Sequence, residues 1–275
     1  QFFRDIAEHW QSQQLSTVVR GDVSFVAGWD SVFTSLDDHL TDLASLKTSP
    51  FFASVSEFAD LTQSWESKLT SLKSILSLWV EAQRRWIYLR GILRNQDLLA
   101  QLPIQAAKFR IIDQDFSVLV KRVSTKPVVT DLLLVNNLEK QLERSDSVMT
   151  QVQRALGDYL EAQRKVFPRF YFMNNDDLVE IIGSAREPSK VFMHLSKMFG
   201  GLSSLRISGA HADNAESLFA DAMCSKEGEA VPLLQPVALT TSSSPKEWLV
   251  CLEEQMVSSL EGLLKAAVRA VPMSS

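Results

Sequence analysis

Cysteine, glycine and proline are all scarce in this chain of 275 residues, which holds Cys 2, Gly 10 and Pro 9. Cys224 and Cys251 form neither a disulfide framework nor the close pairs of a zinc site, and they suit a reducing compartment. Few glycines and prolines means few helix interrupters, so a mostly helical protein is expected. A basic excess is also missing. The formal net charge of -5 argues against the basic face that nucleic-acid binding needs. No apolar run approaches the roughly 20 residues of a membrane-spanning helix. The opening Gln1-Phe2-Phe3-Arg4 does not have the form of a signal peptide, and the chain is read as a fragment of something longer.

Hydrophobic content is present in quantity, at 45%, enough for a sizeable core. The length allows one large domain or two smaller ones. The first 50 residues read as short helices, with Gly21-Asp22 and Pro50 as breakers. From Phe58 the pattern sharpens. Steps of three and four connect Phe58, Leu61, Trp65, Leu72, Ile75, Trp79, Ala82, Trp86, Leu89 and Leu93, with Lys68 alone breaking the stripe. That spacing predicts a long amphipathic helix, on the order of 50 Å. Glu81 precedes Arg85 by the interval that favours a surface ion pair. The helix is expected to stop at Asn95-Gln96-Asp97. A short apolar turn up to Pro103 follows, then a helix with Phe109, Ile112, Phe116, Leu119 and Val123 on one side. A third stripe joins Leu138, Leu142, Ser145, Met149, Val152, Leu156, Tyr159, Gln163 and Val166, with Glu161 and Lys165 as an outer-face pair. Pro168 ends it, because the residue before a proline is pushed out of helical geometry.

The stretch from Phe167 through Phe170-Tyr171-Phe172 to Gly183 is an aromatic knot where the architecture changes. Asn174 is placed to cap a short helix that Gly183 ends. Pro188 opens a helix over Val191 to Phe199, stopped by Gly200-Gly201. Three strands are expected at Leu202–Ile207, Glu216–Cys224 and Glu229–Leu239, with a polar loop from Ser208 to Ala215 and a turn at Ser225-Lys226-Glu227-Gly228. Ser244-Pro245-Lys246-Glu247 is a capping box for a closing helix to about Ala270, with Trp248, Leu252, Met256, Leu260 and Leu264 inside.

Reactive constellations are hard to find. His9, His39, His194 and His211 lack metal-pair spacing. Gly200-Gly201 lacks the lysine and the strand-loop-helix setting of a phosphate loop. Asp176, Asp177 and Glu180 could do acid-base work but fit a helix N-terminus better. Arg84, Arg85, Arg90 and Arg94 read as a solvated or partner-facing surface. The expected class is therefore mainly α: an elongated bundle of long and short helices with a small antiparallel β insertion near residues 202-239. It divides into short helices (1-57), a long-helix bundle (58-166), and short helices with the insertion and closing helix (167-275), all parts of one domain. A scaffold or lever is favoured over an enzyme.

Several blocks carry a resemblance. They are Leu78 to Leu89, Gln101-Leu102-Pro103, Phe167 to Gly183, His194 to Phe199 with Gly201-Leu202, Glu227 to Val231, and Glu247-Trp248-Leu249. In order and spacing they resemble the linker of dynein heavy chains, over roughly residues 75 to 268. Gln83 to Trp86, Leu142 to Arg144, Ala155 to Glu161 and Glu180 to Gly183 are most similar to the cytoplasmic class. The resemblance implies a lever that joins a tail and its associated chains to a ring of AAA+ ATPase modules and bends in the power stroke of a microtubule minus-end-directed motor. It implies a dimeric heavy chain in the cytoplasm, associated with the cytoskeleton. This segment would have no catalytic residue, no cofactor and no direct contact with microtubule, membrane or nucleic acid; ATP and Mg belong to the ring. The rival readings are a non-motor helical interaction scaffold and the same linker from an axonemal dynein. Bending needs places where helical hydrogen bonding stops. The candidates are Phe167, Pro168, Gly183, Arg186, Pro188, Gly200 and Gly201, with the hinge placed in Phe167 to Pro188.

Overall fold

The computed structural model describes residues 1–21, 23–48, 52, 56–184, 187–209, 218–239 and 245–270. Of the expected features, Asp22, Pro50, Arg186, Ala210 to Ala215, Glu216 and Ser244 lie outside the described residues. The chain divides into two compact units. Gln1–Gly91 and Ile104–Arg154 make the first; Ile92–Pro103 and Ala155–Ser275 make the second.

The first unit starts with α1 (Phe2–Ser12), a hairpin of β1 (Ser16–Arg20) and β2 (Val23–Ala27), and α2 (Trp29–Lys47). The hairpin corrects the expectation of short helices throughout this region. Val18, Val19, Val23, Phe25 and Val26 are β-branched or aromatic, which suits a pleated surface, but the strands are too short for an alternation to stand out. A buried glutamine explains why they persist. Gln83 Oε1 accepts from the Val26 N–H at 2.9 Å, and its Nε2 donates to the Val26 carbonyl at 2.7 Å. One side-chain amide thus completes both backbone bonds that the neighbouring strand leaves open at Val26.

Next along the chain come α3 (Ser56–Ile92), α4 (Gln96–Gln101), which belongs to the second unit, α5 (Pro103–Thr125), a 3-10 turn (Val129–Leu134) and α6 (Leu138–Val166). The α3 stripe is buried from Leu72 to Leu93, as its periodicity demands. Its first turns differ: Phe58 and Leu61 are exposed while Thr62 and Leu69 are buried. Phe116 of α5 stacks on Trp86 at 5.0 Å and meets Trp79 edge-on at 5.9 Å. The α6 stripe is buried through Leu156; Val166 at its end is exposed and Leu160 is buried instead.

The surface pairings expected on these helices are re-routed. Glu81 pairs with Arg84, and Arg85 reaches Asp146 on α6. Arg90 pairs with Asp113 on α5 at 3.0 Å, and Asp113 also accepts from the Trp86 indole at 2.8 Å. Arg85 and Arg90 are therefore half-buried ties between helices, not a solvated face.

The second unit contains a 3-10 turn (Pro168–Phe172), α7 (Asn175–Ile182), α8 (Pro188–Phe192), α9 (Leu195–Met198), strands β3 (Ser204–Ser208), β4 (Phe219–Cys224) and β5 (Ala230–Ala238), and α10 (Pro245–Ala270). The single helix expected over Val191 to Phe199 is split, with His194 between the two short pieces. The sheet is antiparallel in the order β3-β4-β5. Ser208, expected in the loop, closes β3. The Ser225 hydroxyl accepts from Glu227 and Glu229 N–H in the β4–β5 turn. On α10, Trp248 and Leu252 are buried, whereas Leu260 and Leu264 are exposed, contrary to the expectation from their spacing. Ser259 takes the inward place there, because its hydroxyl accepts from the Leu234 N–H of β5 at 2.9 Å.

Candidate functional site

The knot begins where α6 ends. Phe167 is the last residue whose N–H is held by α6, at 3.0 Å from the Gln163 carbonyl, and Pro168 starts the 3-10 turn. Phe167 and Phe170 are both buried, edge to face at 4.9 Å, and Phe199 lies 6.5 Å from Phe167. Such a turn leaves carbonyls without partners, and Arg164 answers this. Its guanidinium donates to the carbonyls of Phe170 (3.4 Å) and Met173 (3.3 Å) and to Asn175 Oδ1 (2.8 Å).

Arg169 works across a longer sequence distance. It donates to Glu253 on α10 (2.8 Å) and to the Met198 carbonyl at the end of α9 (3.0 Å), with its guanidinium 4.5 Å from the Phe199 ring centre. The planar fork and stacking surface of arginine suit it to this threefold contact. Tyr171 donates to Glu161 at 2.7 Å, and that bond holds its phenol above the usual range. Glu161 is therefore engaged by Tyr171 instead of the expected Lys165.

After the knot, Asn174 Oδ1 accepts from the Asp177 N–H at 2.8 Å, the cap expected from the sequence. Asp177 and Glu180 then act as fasteners. Lys197 pairs with Asp177 at 2.6 Å; His194, which is buried, lies 3.2 Å from Glu180 and 3.7 Å from Asp177. At the end of α7, the Gly183 carbonyl accepts from Asn95 Nδ2 at 2.5 Å, and Asn95 Oδ1 caps α4 through the Asp97 N–H. A Cβ on Gly183 would stand 2.2 Å from Asn95 Nδ2, so only glycine permits this approach.

Each hinge candidate sits at a helix boundary or turn, apart from Arg186, which lies outside the described residues. Phe167 and Pro168 lie in the knot, and Gly183 is the C-cap of α7. Pro188 is the buried first residue of α8. Gly200 and Gly201 follow Phe199, with Gly201 at φ 84°, a backbone region that favours glycine. The structure brings Phe167 to Phe199, and so brings the ends of α6 and α9 together. Sequence reasoning placed Asn95 only at the stop of the long helix and assigned no role to Arg164 or Arg169. The Asn-Gln-Asp order at Asn95 was a readable cap signal; nothing in the local pattern marks the partners of the two arginines.

A phosphate is cradled by N–H groups at a helix N-terminus, whereas Gly183 and Gly200-Gly201 follow helix C-terminal ends. These glycines therefore lack the setting of a phosphate loop. Among the described residues, no group of three or more His, Cys, Asp or Glu side chains is disposed to hold a metal ion. No helix among them is long and apolar enough to cross a membrane.

Comparison with known proteins gives one answer. The family profile described as dynein heavy chain, N-terminal region 2 matches residues 1–267. The "Dynein heavy chain-like protein 1" of Plasmodium falciparum is 35% identical over 273 residues, covering 98% of this chain and 5% of that protein. The "Dynein heavy chain, cytoplasmic" of Dictyostelium discoideum is 33% identical over 98% of this chain, and that of Paramecium tetraurelia 37% over 93%; each match covers 6% of the longer protein. The chain thus spans a small part of these relatives, and on this agreement along nearly its whole length it belongs to the dynein heavy chain family.

Proposed function

We propose that this segment is most of the linker of a cytoplasmic dynein heavy chain. It acts as a lever between the tail and the AAA+ ring of a dimeric, minus-end-directed microtubule motor, and works in the cytoplasm on the cytoskeleton. ATP and Mg are handled by the ring, and this segment transmits the resulting movement. The observation that carries the reading is the pair of long helices α3 and α6, cross-tied by Arg85–Asp146. Bending a helix mid-length breaks several backbone bonds at once, which is the property a lever needs. The bend is assigned to Phe167 to Pro188, where helical bonding stops at Phe167 and again at Gly183. Rotation about Phe167 requires the Arg164 or Arg169 contacts to release, so these residues would set which bent form is stable.

The test is made in the full-length heavy chain. A short Gly-Ser insertion after Gln151, inside α6, is expected to slow microtubule gliding several-fold while ATP hydrolysis continues. Unchanged gliding velocity would overturn the lever. Straight and bent forms of the intact motor test the hinge separately. Backbone angles that change mainly within Leu138–Val166 would refute the placement.

A further inference from the structure

A groove of about 800 Å³ runs along the first unit, lined by α5, the Val129–Leu134 turn and α6. On the α5 wall, Lys108, Ile111, Asp115, Val118 and Arg122 repeat at three and four residues, which puts them on one face. The α6 wall presents Arg144 and Val148. Ile111 is 62% exposed, Val118 65% and Leu134 73%. Exposure of this size at neighbouring apolar residues marks an interaction surface when it is contiguous.

The charges around it are unbalanced. Lys108, Arg122 and Arg144 line the groove against the single lining carboxylate of Asp115. None of the three cations forms an ion pair among the described residues, in a chain whose net charge is -5. A local positive excess on an acidic protein selects partners by charge. The shape selects further. From Lys108 to Arg122 the α5 wall is about 20 Å long, the length of a helix of about 14 residues. A trough between two helices accepts a third helix whose apolar side chains recur at i, i+3, i+4 and i+7.

From this geometry we propose that the groove is a docking site for an acidic amphipathic helix of another polypeptide. Its apolar stripe packs on Ile111, Val118, Val148 and Leu134, and its glutamates or aspartates meet Lys108, Arg122 and Arg144. The proposal stands apart from the lever reading, since it needs no bending and no motor cycle.

The first measurement uses the full-length heavy chain and a fluorescein-labelled helical peptide of about 15 residues. The peptide carries leucines at i, i+3 and i+7 with glutamates beside them. Saturable anisotropy is expected, weakened about tenfold by Val118→Asp and by the Arg122→Glu/Arg144→Glu pair. The same peptide with lysines for glutamates is expected not to bind. Equal binding of the two peptides, absence of binding, or indifference to these exposed substitutions would overturn the proposal. The second measurement places a photo-crosslinking side chain at position 118 in the intact purified assembly. A crosslink to an acidic amphipathic helix of a different polypeptide supports the proposal. A crosslink to a second copy of this chain, to another segment of the same chain, or to nothing overturns it.

Discussion

The seam of α3 and the knot after α6 both bury aromatic rings, and they hold them by different means. In the seam, Trp79 and Trp86 lie on one helical stripe and meet Phe116 from a second regular helix. Position along the helix does most of the ordering, and one indole bond from each ring finishes it, Trp86 to Asp113 at 2.8 Å and Trp79 to Gln83 at 3.2 Å. In the knot, Phe167, Phe170 and Phe199 come from segments that are barely helical. There the order comes from arginine bonds to carbonyls and carboxylates far apart in sequence. Regular helices spread their stability over many small contacts, whereas the knot concentrates it in a few. A part built the second way is released by losing one side chain, as the hinge proposed there would require.

Four substitutions or conditions would break or sharpen this contrast. The largest effect is expected from Trp86→Ala, which empties a buried site and removes the indole donor from Asp113. It should cost about 3–5 kcal/mol. Hydrogen exchange should show lost protection along α3 and α5 with the knot amides retained. Equal loss in both places would mean that the two regions do not behave as separate structures.

Gly183→Ala should come next, at about 2–3 kcal/mol, because its Cβ displaces Asn95 and orphans both of that side chain's bonds. Urea unfolding measures it. In an Asn95→Ala background the same change should be nearly neutral; an undiminished cost there would rule out the clash as the cause.

Arg169→Lys keeps the charge and loses the fork. It should destabilise by about 1–2 kcal/mol, with Glu253 and the Met198 carbonyl no longer bridged. If thermal unfolding of Arg169→Lys matched the parent, charge alone would hold the knot and the contrast with the seam would fail.

The smallest effect concerns pH. Burial, and then the neighbouring His9 imidazole, lower the His39 pKa from 6.5. The unfolded chain therefore binds the proton more readily than the folded one, and stability rises with pH across that interval. The contribution is complete above 6.5 and is lost as pH falls from there through the lowered folded value. Melting temperatures of the parent and His39→Gln from pH 7.5 down to 5 should converge as pH falls. Parallel curves would contradict the assignment.

The legible parts were those governed by local repetition. Leu72 to Leu89 on α3 and Leu138 to Leu156 on α6 repeat at helical spacing, and both stripes are buried. Asn174 and Pro188 begin helices because capping and a fixed φ act within a few residues. The same reasoning misplaced Leu260 and Leu264, since periodicity identifies an apolar face but not whether anything covers it. It missed the hairpin of β1 and β2, whose outer edge is completed by Gln83, distant in sequence.

The sequence by itself determined the helical class, the positions of most breaks and the family, because these rest on spacing between near neighbours and on ordered blocks along the chain. Only the tertiary structure decided that Arg85 and Arg90 are ties between helices, that Arg169 reaches Glu253, and that Gly183 must lack a side chain because Asn95 occupies the space. The physical reason is range. A hydrogen bond or a close approach forms between whatever groups the packed chain brings within about 3 Å, and one-dimensional order does not encode that distance.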